Sequence, residues 1–344
     1  MNQRILITGA GGYIGTTLVP LLLESGNNVI AVDTFWFGRD LLPTHPLLHC
    51  VTQDSRTLPE SLMVGVDTVI DLAALSNDPC GEAFSDATWA INHVARVRTA
   101  RLAKKAGVSR YLLASSCSVY GYHNEILDEN SPTAPLTVYA KACVETERET
   151  RQLSDDAFAV TCLRFATLFG RSPRMRLDLV VNSMCYGAWK HGEITVNGGG
   201  TQIRPLLHVS DAARALVAVM QGNLETIRDE VFNVGSSSQN MSINDIAKMI
   251  CAFYRVTKGS EIVVHHSGPQ DMRSYSVNFD KISTALRWKP IAEWQDSLEE
   301  INEFLNVYAE GNTLRYYTLD WYMQKNCVDL ALGSIKNTTP IASI

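Results

Sequence analysis

The chain reads as an α/β protein built on a Rossmann-like doubly wound parallel sheet, with a smaller α/β lobe interleaved into it. Three observations predict this. Short apolar runs alternate with helical stretches through the first half of the 344 residues, the pattern of a parallel sheet covered on both faces. A glycine-spaced turn, Gly9-Ala10-Gly11-Gly12-Tyr13-Ile14-Gly15, directly follows the first apolar run. After Gly170 the alternation stops, and a stretch rich in Arg, Pro and Gly begins.

Arg4 to Thr8 reads as the first strand and Tyr13 to Ser25 as the first helix, which Pro20 should bend by removing one hydrogen bond. Asn28 to Asp33 is the second strand. Further strands are expected at Thr68 to Ala73, Tyr111 to Ser115 and Ala159 to Phe165, with helices over Ala87 to Ala106 and Tyr139 to Leu153 between them. Residues 1–171 therefore form the sheet domain, and 172–204 together with 236–325 form the second lobe. The segment 205–235 returns to the first domain through a helix at Ala212 to Met220 and a last strand, Phe232-Asn-Val-Gly235. Ser242 and Asn244 are candidate caps for a helix reaching Tyr254. Residues 326–344 are rich in Ser, Thr and Asn without periodicity and read as a flexible tail.

With 46% hydrophobic residues, 19% charged residues and a formal net charge of -6, the composition is that of a globular chain with a large core. Thirty basic residues against 36 acidic, with no long basic run, argue against nucleic acid or an anionic membrane as partner. Eight scattered cysteines, with no Cys-x-x-Cys pair and no His/Cys cluster, predict reduced thiols, a cytoplasmic setting and no structural metal. No apolar run approaches the ~20 residues that span a bilayer.

The glycine turn lies between a strand and a helix, where it holds a dinucleotide. Gly9 permits the tight turn, Gly12 admits a pyrophosphate to the backbone, and Gly15 allows close helix packing, while the helix terminus offers free N–H groups. Asp33, eighteen residues after Gly15, ends the second strand where a carboxylate accepts hydrogen bonds from the adenosine ribose and repels an added 2′-phosphate. That combination predicts NAD rather than NADP. Asp54 is a second candidate, placed to reach the adenine.

Ser115-Ser-Cys-Ser-Val-Tyr-Gly121, Tyr139, Asp71-Leu-Ala-Ala74, Arg164-Phe-Ala-Thr-Leu-Phe-Gly170, Asn182 and Arg204-Pro-Leu-Leu-His-Val-Ser-Asp211 join the glycine turn in a wider pattern. Over about residues 1–320 the chain resembles the extended short-chain dehydrogenases/reductases of the nucleotide-sugar epimerase/dehydratase family. The resemblance implies a nucleotide-diphosphate sugar as substrate and Tyr139 as the residue that takes or returns a hydroxyl proton. It also implies that Ser116 hydrogen-bonds the same sugar oxygen, that Tyr13, Ile14, Ala73, Tyr139 and Phe165 touch NAD, and that helices over 88–106 and 138–153 form a homodimer seam. It sets Asn182, Arg204, Arg273, Tyr275 and Arg176 around the substrate, the segment Asp271 to Tyr275 closing over base and phosphates, with Arg174 adding charge and His208 orienting a loop.

Two positions depart from that pattern. The family's lysine, one helical turn after the tyrosine, is here Cys143; Lys141 is rotated about 200° from Tyr139 and points elsewhere. A free phenol titrates at about 10 and is a poor base unless nearby positive charge stabilises the phenolate, which a thiol does not supply. Where the family's dehydratases carry Asp-Glu, this chain has Cys117-Ser118, so dehydration lacks its acid and base; Cys117 is a secondary catalytic candidate, more often in such a place a small core residue. The reading that results is an NAD-dependent epimerase-like enzyme acting by transient oxidation of a sugar hydroxyl, with C4 the expected carbon. Beside it stand a 4-keto-sugar reductase or a 3/5-epimerase, and an impaired variant that binds NAD and nucleotide sugar.

Overall fold

In the computed structural model, residues 2–259, 261–268, 273–311 and 313–325 are described. The expected tail, Asp271 and Met272 lie outside them. The first strands are β1 (Arg4–Thr8), β2 (Asn28–Asp33), β3 (Leu48–Thr52), β4 (Thr68–Asp71) and β5 (Arg110–Ser116). They join Ala159–Phe165 and Glu230–Val234 in a seven-stranded sheet. From one edge the order is Glu230–Val234, Ala159–Phe165, β5, β4, β1, β2, β3, with every neighbouring pair parallel.

The continuous apolar strands follow from burial on both faces. Ile5 and Ile7 of β1 meet Leu18, Val19 and Leu22 of helix α1 (Gly15–Glu24) on one side. Leu6 between them joins Val69, Ala100, Ala103 and Tyr111 on the other. Helix α1 runs through Pro20 without interruption. β3 was not anticipated from the sequence. It is an edge strand with one partner, and its residues are exposed or half-buried, so Leu-His-Cys-Val-Thr lacks the run of buried apolar residues that marks the central strands.

The helix expected over 87–106 contains a π-helical stretch, Trp89–Ala95, between Ser85–Thr88 and Arg96–Lys105. The wider turn leaves the Asn92 carbonyl to accept from Thr146 Oγ1 at 2.8 Å. The Asn92 side chain ties down Leu75, accepting from its N–H at 2.8 Å and donating to its carbonyl at 3.0 Å.

The second lobe has its own core, where Val181, Cys185, Ile246, Ile250, Leu298 and Ile301 pack together. Ser242 caps the Ile243–Lys258 helix by accepting from Asp245 N at 3.1 Å. Asn244 does not cap; its amide donates to the Gly199 carbonyl instead. Ile203–His208 pairs with Thr167–Phe169, the following helix Val209–Gln221 packs against α1, and Glu230–Val234 closes one edge of the main sheet. Finally, helix Thr318–Lys325 lays Trp321 and Tyr322 against Trp36 and Phe37, just past β2.

Candidate active site

β1 and β4 are adjacent strands whose connections leave in opposite directions, and a crevice opens at their carboxyl ends. A cavity of about 580 Å³ occupies it. Its floor is backbone. Gly9 has φ +69°, and a Cβ there would stand 2.7 Å from the Ala73 nitrogen, so only glycine brings these two chains together. A Cβ on Gly15 would sit 2.5 Å from the Ala10 carbonyl oxygen, which fixes how closely α1 follows the turn. Gly9, Gly12, Tyr13, Ile14, Gly15, Ala73 and Phe165 all line the cavity.

A buried network keeps these strand ends in register. Arg96 Nη2 donates to the carbonyls of Asp71 and Ala114, each at 2.7 Å, while its Nε reaches the Asp71 carboxylate at 3.3 Å. Thr8 Oγ1 donates to the same carboxylate at 2.7 Å. At the end of β2, the half-buried Asp33 accepts from Gly11 N at 2.9 Å and Phe35 N at 2.7 Å, and burial pushes its carboxyl pKa up. Oδ1 also accepts from Thr34 Oγ1 at 3.4 Å, so Oδ2 is the oxygen that retains a lone pair for a ribose hydroxyl. Asp54 lines the wall but is clasped by Arg56 at 2.6 Å.

Tyr139 enters from the first turn of helix Val138–Arg151, capped by Thr137, whose hydroxyl accepts from Ala140 N at 3.2 Å. The hydroxyl of Thr137 donates to Asp78, which also meets the Arg273 guanidinium. A second buried cluster pins the same helix to the sheet, with Glu147 accepting from Arg164 at 2.7 Å and from Ser115. Ser116 lines the same cavity as Tyr139. Its oxygen accepts from Ser118 N at 3.1 Å and Ser118 Oγ at 2.8 Å, leaving its own proton to donate.

Burial drives the Tyr139 pKa well above its ordinary value, and neighbouring Cys143 and Asp78 push the same way, while Arg96 opposes them. Cys143 is 2% exposed, and burial lifts its thiol to about 12, so it sits neutral beside the phenol. Lys141 points to solvent, as its angular position required.

The roof comes from the second lobe. Arg204 lies 5.6 Å from the ring of Tyr275 and meets the Arg273 carbonyl; all three residues line the cavity. Arg176 forks onto Asp178 at 3.0 and 2.8 Å and also donates to Ser76 Oγ at 3.1 Å. His208 is structural: it accepts from Ser210 N at 3.3 Å, capping its helix, and bonds Glu300 at 2.6 Å.

Two expected site residues stand elsewhere. Cys117 is fully buried, its thiol donating to the Arg164 carbonyl at 3.2 Å, and burial pushes its pKa up; it is a core residue off the cavity wall. Asn182 is also fully buried and off the wall. Its carbonyl accepts from Gly170 N at 3.0 Å, and its amide donates to Arg176 O at 2.9 Å and to the Tyr13 hydroxyl at 3.2 Å, so it holds the loop that carries the arginines. Conversely, sequence reading missed Trp36, Phe37, Ser76, Asp178 and Tyr322 on the wall. The aromatic pair beginning three residues past Asp33 was a usable signal; nothing local marks Tyr322 as a neighbour of that pair.

A dinucleotide cradle at the switch point of a doubly wound sheet, with a tyrosine and a serine facing it, defines a short-chain dehydrogenase/reductase type of α/β protein. The model of the NAD dependent epimerase/dehydratase family matches residues 5–235, and the chain belongs to that family. UDP-glucuronic acid decarboxylase 1 of Xenopus tropicalis is 28% identical over 328 residues, covering 92% of this chain and 75% of that protein. Among solved structures, MoeE5 in complex with UDP-glucuronic acid and NAD is 27% identical with a TM-score of 0.76, covering 88% of this chain and 99% of that one. UDP-glucuronic acid 4-epimerase from Bacillus cereus, 22% identical, shares the fold at a TM-score of 0.79, with 88% and 99% covered.

Proposed function

We propose that the chain is an NAD-dependent nucleotide-sugar epimerase-like enzyme that works by transient oxidation of a sugar hydroxyl, at C4. The observation that carries this reading is the pairing of Ser116, its proton uncommitted, with Tyr139 in the cavity that the glycine turn opens onto. The cradle fits the cofactor: Gly9 and Gly15 leave no room for a Cβ, and the amino end of α1 faces the cavity. NAD, when bound, supplies the oxidising and then the reducing equivalent, and its positive ring adds the charge that lowers the tyrosine's pKa. Ser116 donates to the sugar oxygen and Tyr139 takes its proton. Arg204 and Arg273, with Tyr275, are positioned for the diphosphate and nucleoside, and Arg176 for the mouth of the site. Cys117-Ser118 offers no acid-base pair for dehydration.

A second reading, a protein that binds both ligands without turnover, is favoured by Cys143, which leaves Tyr139 with a raised pKa. One experiment separates them. Purified protein is incubated with UDP-, dTDP-, GDP- and CDP-hexoses, their 4-keto-6-deoxy forms and UDP-glucuronic acid, with NAD+ or NADH, and products are resolved by chromatography and mass. A product of unchanged mass supports epimerisation. Loss of CO2 or water, or gain of two hydrogens, replaces it with decarboxylation, dehydration or ketoreduction. Binding without product establishes the second reading.

The same reading includes a homodimer through the helices over 88–106 and 138–153, which sedimentation would test, and a cytoplasmic setting, supported by seven free cysteines among the described residues. No helix among the described residues is long and apolar enough to cross a membrane.

A further inference from the structure

Two arginines enter the cavity wall two residues apart in opposite electrostatic situations. Arg176 is neutralised by Asp178. Arg174, 3% exposed, forms no ion pair among the described residues, and the Asp178 carboxylate acts on it only from a distance. Its Nη1 donates to Met175 O at 2.6 Å, its Nη2 to Thr318 Oγ1 at 3.0 Å, and its guanidinium lies 3.6 Å over the ring of Phe37. Three of its five N–H donors remain. Burial, with Arg176 alongside, pushes its pKa down to about 10 against the opposing pull of Asp178.

Its position says which anion it would meet. The backbone N–H of Arg174 donates to Thr16 Oγ1 at 3.3 Å, in the first turn of α1, and Phe37 follows directly from β2. The guanidinium therefore lies at the cofactor end of the cavity, whereas Arg204 and Arg273 stand by Asp78 and the cap of the Tyr139 helix. Beside it is Tyr322, 5% exposed and on the cavity wall, whose hydroxyl makes no hydrogen bond among the described residues. Helix Thr318–Lys325 holds both groups, through Thr318 on Arg174 and through Tyr322 packed on Phe37 at 5.5 Å.

We propose that Arg174 and Tyr322 form a clamp that closes over a diphosphate at the amino end of α1, the pyrophosphate of the bound dinucleotide. The clamp rests on the NAD reading above and adds to it a donor pair on the face opposite the glycine turn. Free N–H groups of the helix would meet one side of the phosphates, and the guanidinium would meet the other.

Calorimetric titration of the full chain with NAD, ADP, adenosine and UDP tests this, using wild type, Arg174→Gln and Tyr322→Phe. Arg174→Gln should weaken NAD and ADP by about 10- to 100-fold, the range of hydrogen bonds to charged groups, and leave adenosine and UDP unchanged. Tyr322→Phe should weaken ADP by about 3- to 10-fold. The ligand-free Arg174→Gln protein should melt no lower than wild type, since an uncompensated charge has been removed. Equal ADP affinity in wild type and both variants overturns the clamp. A loss confined to UDP moves it to the sugar nucleotide and overturns the cofactor assignment. If Arg174→Gln does not fold, unchanged ADP binding by Tyr322→Phe overturns the proposal alone. Wild type that binds UDP but neither NAD nor ADP instead overturns the NAD reading on which the clamp rests.

Discussion

At the floor of the cavity the backbone does the holding: Gly9 meets Ala73 with no room for a Cβ, and the ends of β1, β4 and β5 are tied by Thr8, Asp71 and Arg96. At the roof the holding is done by long side chains, Arg174, Arg176 and Arg273 from loops and Arg204 from the strand Ile203–His208, positioned by Asp178, Thr318 and Tyr275. The floor is a shape that the fold imposes on any occupant. The roof is a set of charges whose pairing decides which occupant is held. Tyr139 stands between them, on a helix that Glu147 and Arg164 fasten to the floor while Asp78 and Arg273 link its cap to the roof.

The largest effect is expected where the floor fastens that helix. Glu147→Ala leaves Arg164 buried without its carboxylate and should cost about 3–5 kcal/mol, read as a lower midpoint in urea unfolding. A loss under about 1 kcal/mol would mean that water or a shifted side chain takes over the charge.

Next comes the missing cation. Because the Tyr139 pKa is raised, its basic form is scarce at neutral pH and grows as pH rises, so log kcat should climb with unit slope through the neutral range. Cys143→Lys puts a positive charge one turn away, lowers that pKa, and should raise kcat at pH 7 by about 100-fold while moving the rise to lower pH. A wild-type enzyme already fast and flat with pH, unimproved by the lysine, would show that another group has taken the proton-transfer role.

Asn182→Ala separates positioning from binding. It strands the Gly170 N–H and the Arg176 carbonyl and should cost about 1–3 kcal/mol in stability, with KM for a nucleotide sugar changing less than the melting temperature implies. A selective rise in KM would return Asn182 to the wall. The smallest effect is expected at low pH. Although buried, Asp178 is held below the usual carboxylate range by Arg176, so its contribution is present above the unfolded pKa of about 4 and is lost as pH falls through the lower, folded value. Asp178→Asn should therefore flatten the acid limb of the stability curve.

The floor was largely legible in the sequence because its signals are local. A glycine turn after an apolar run and an acid ending the next strand need only neighbours in the chain to be meaningful. Ala159–Phe165 was placed to the residue, since a strand buried on both faces is apolar throughout. β3 escaped because an edge strand need not be. The roof was read less well. Asn182 and Arg176 are both polar residues in one stretch of chain, the first in helix Val180–His191 and the second in the loop before it, and only the fold shows that one spends its groups on backbone while the other reaches the cavity. Tyr322 depends on a contact with Phe37 across most of the chain, which no local pattern encodes.

That last contact has a consequence for synthesis. Gly9 leaves the ribosome early, whereas Tyr322 follows roughly 15–60 s later at about 5–20 residues per second. During that interval the nascent chain owns a glycine turn with no cover, and the edge strand Glu230–Val234 arrives only partway through it. A dinucleotide that enters early would meet an open crevice, which the last of the described helices, Thr318–Lys325, then covers with Tyr322.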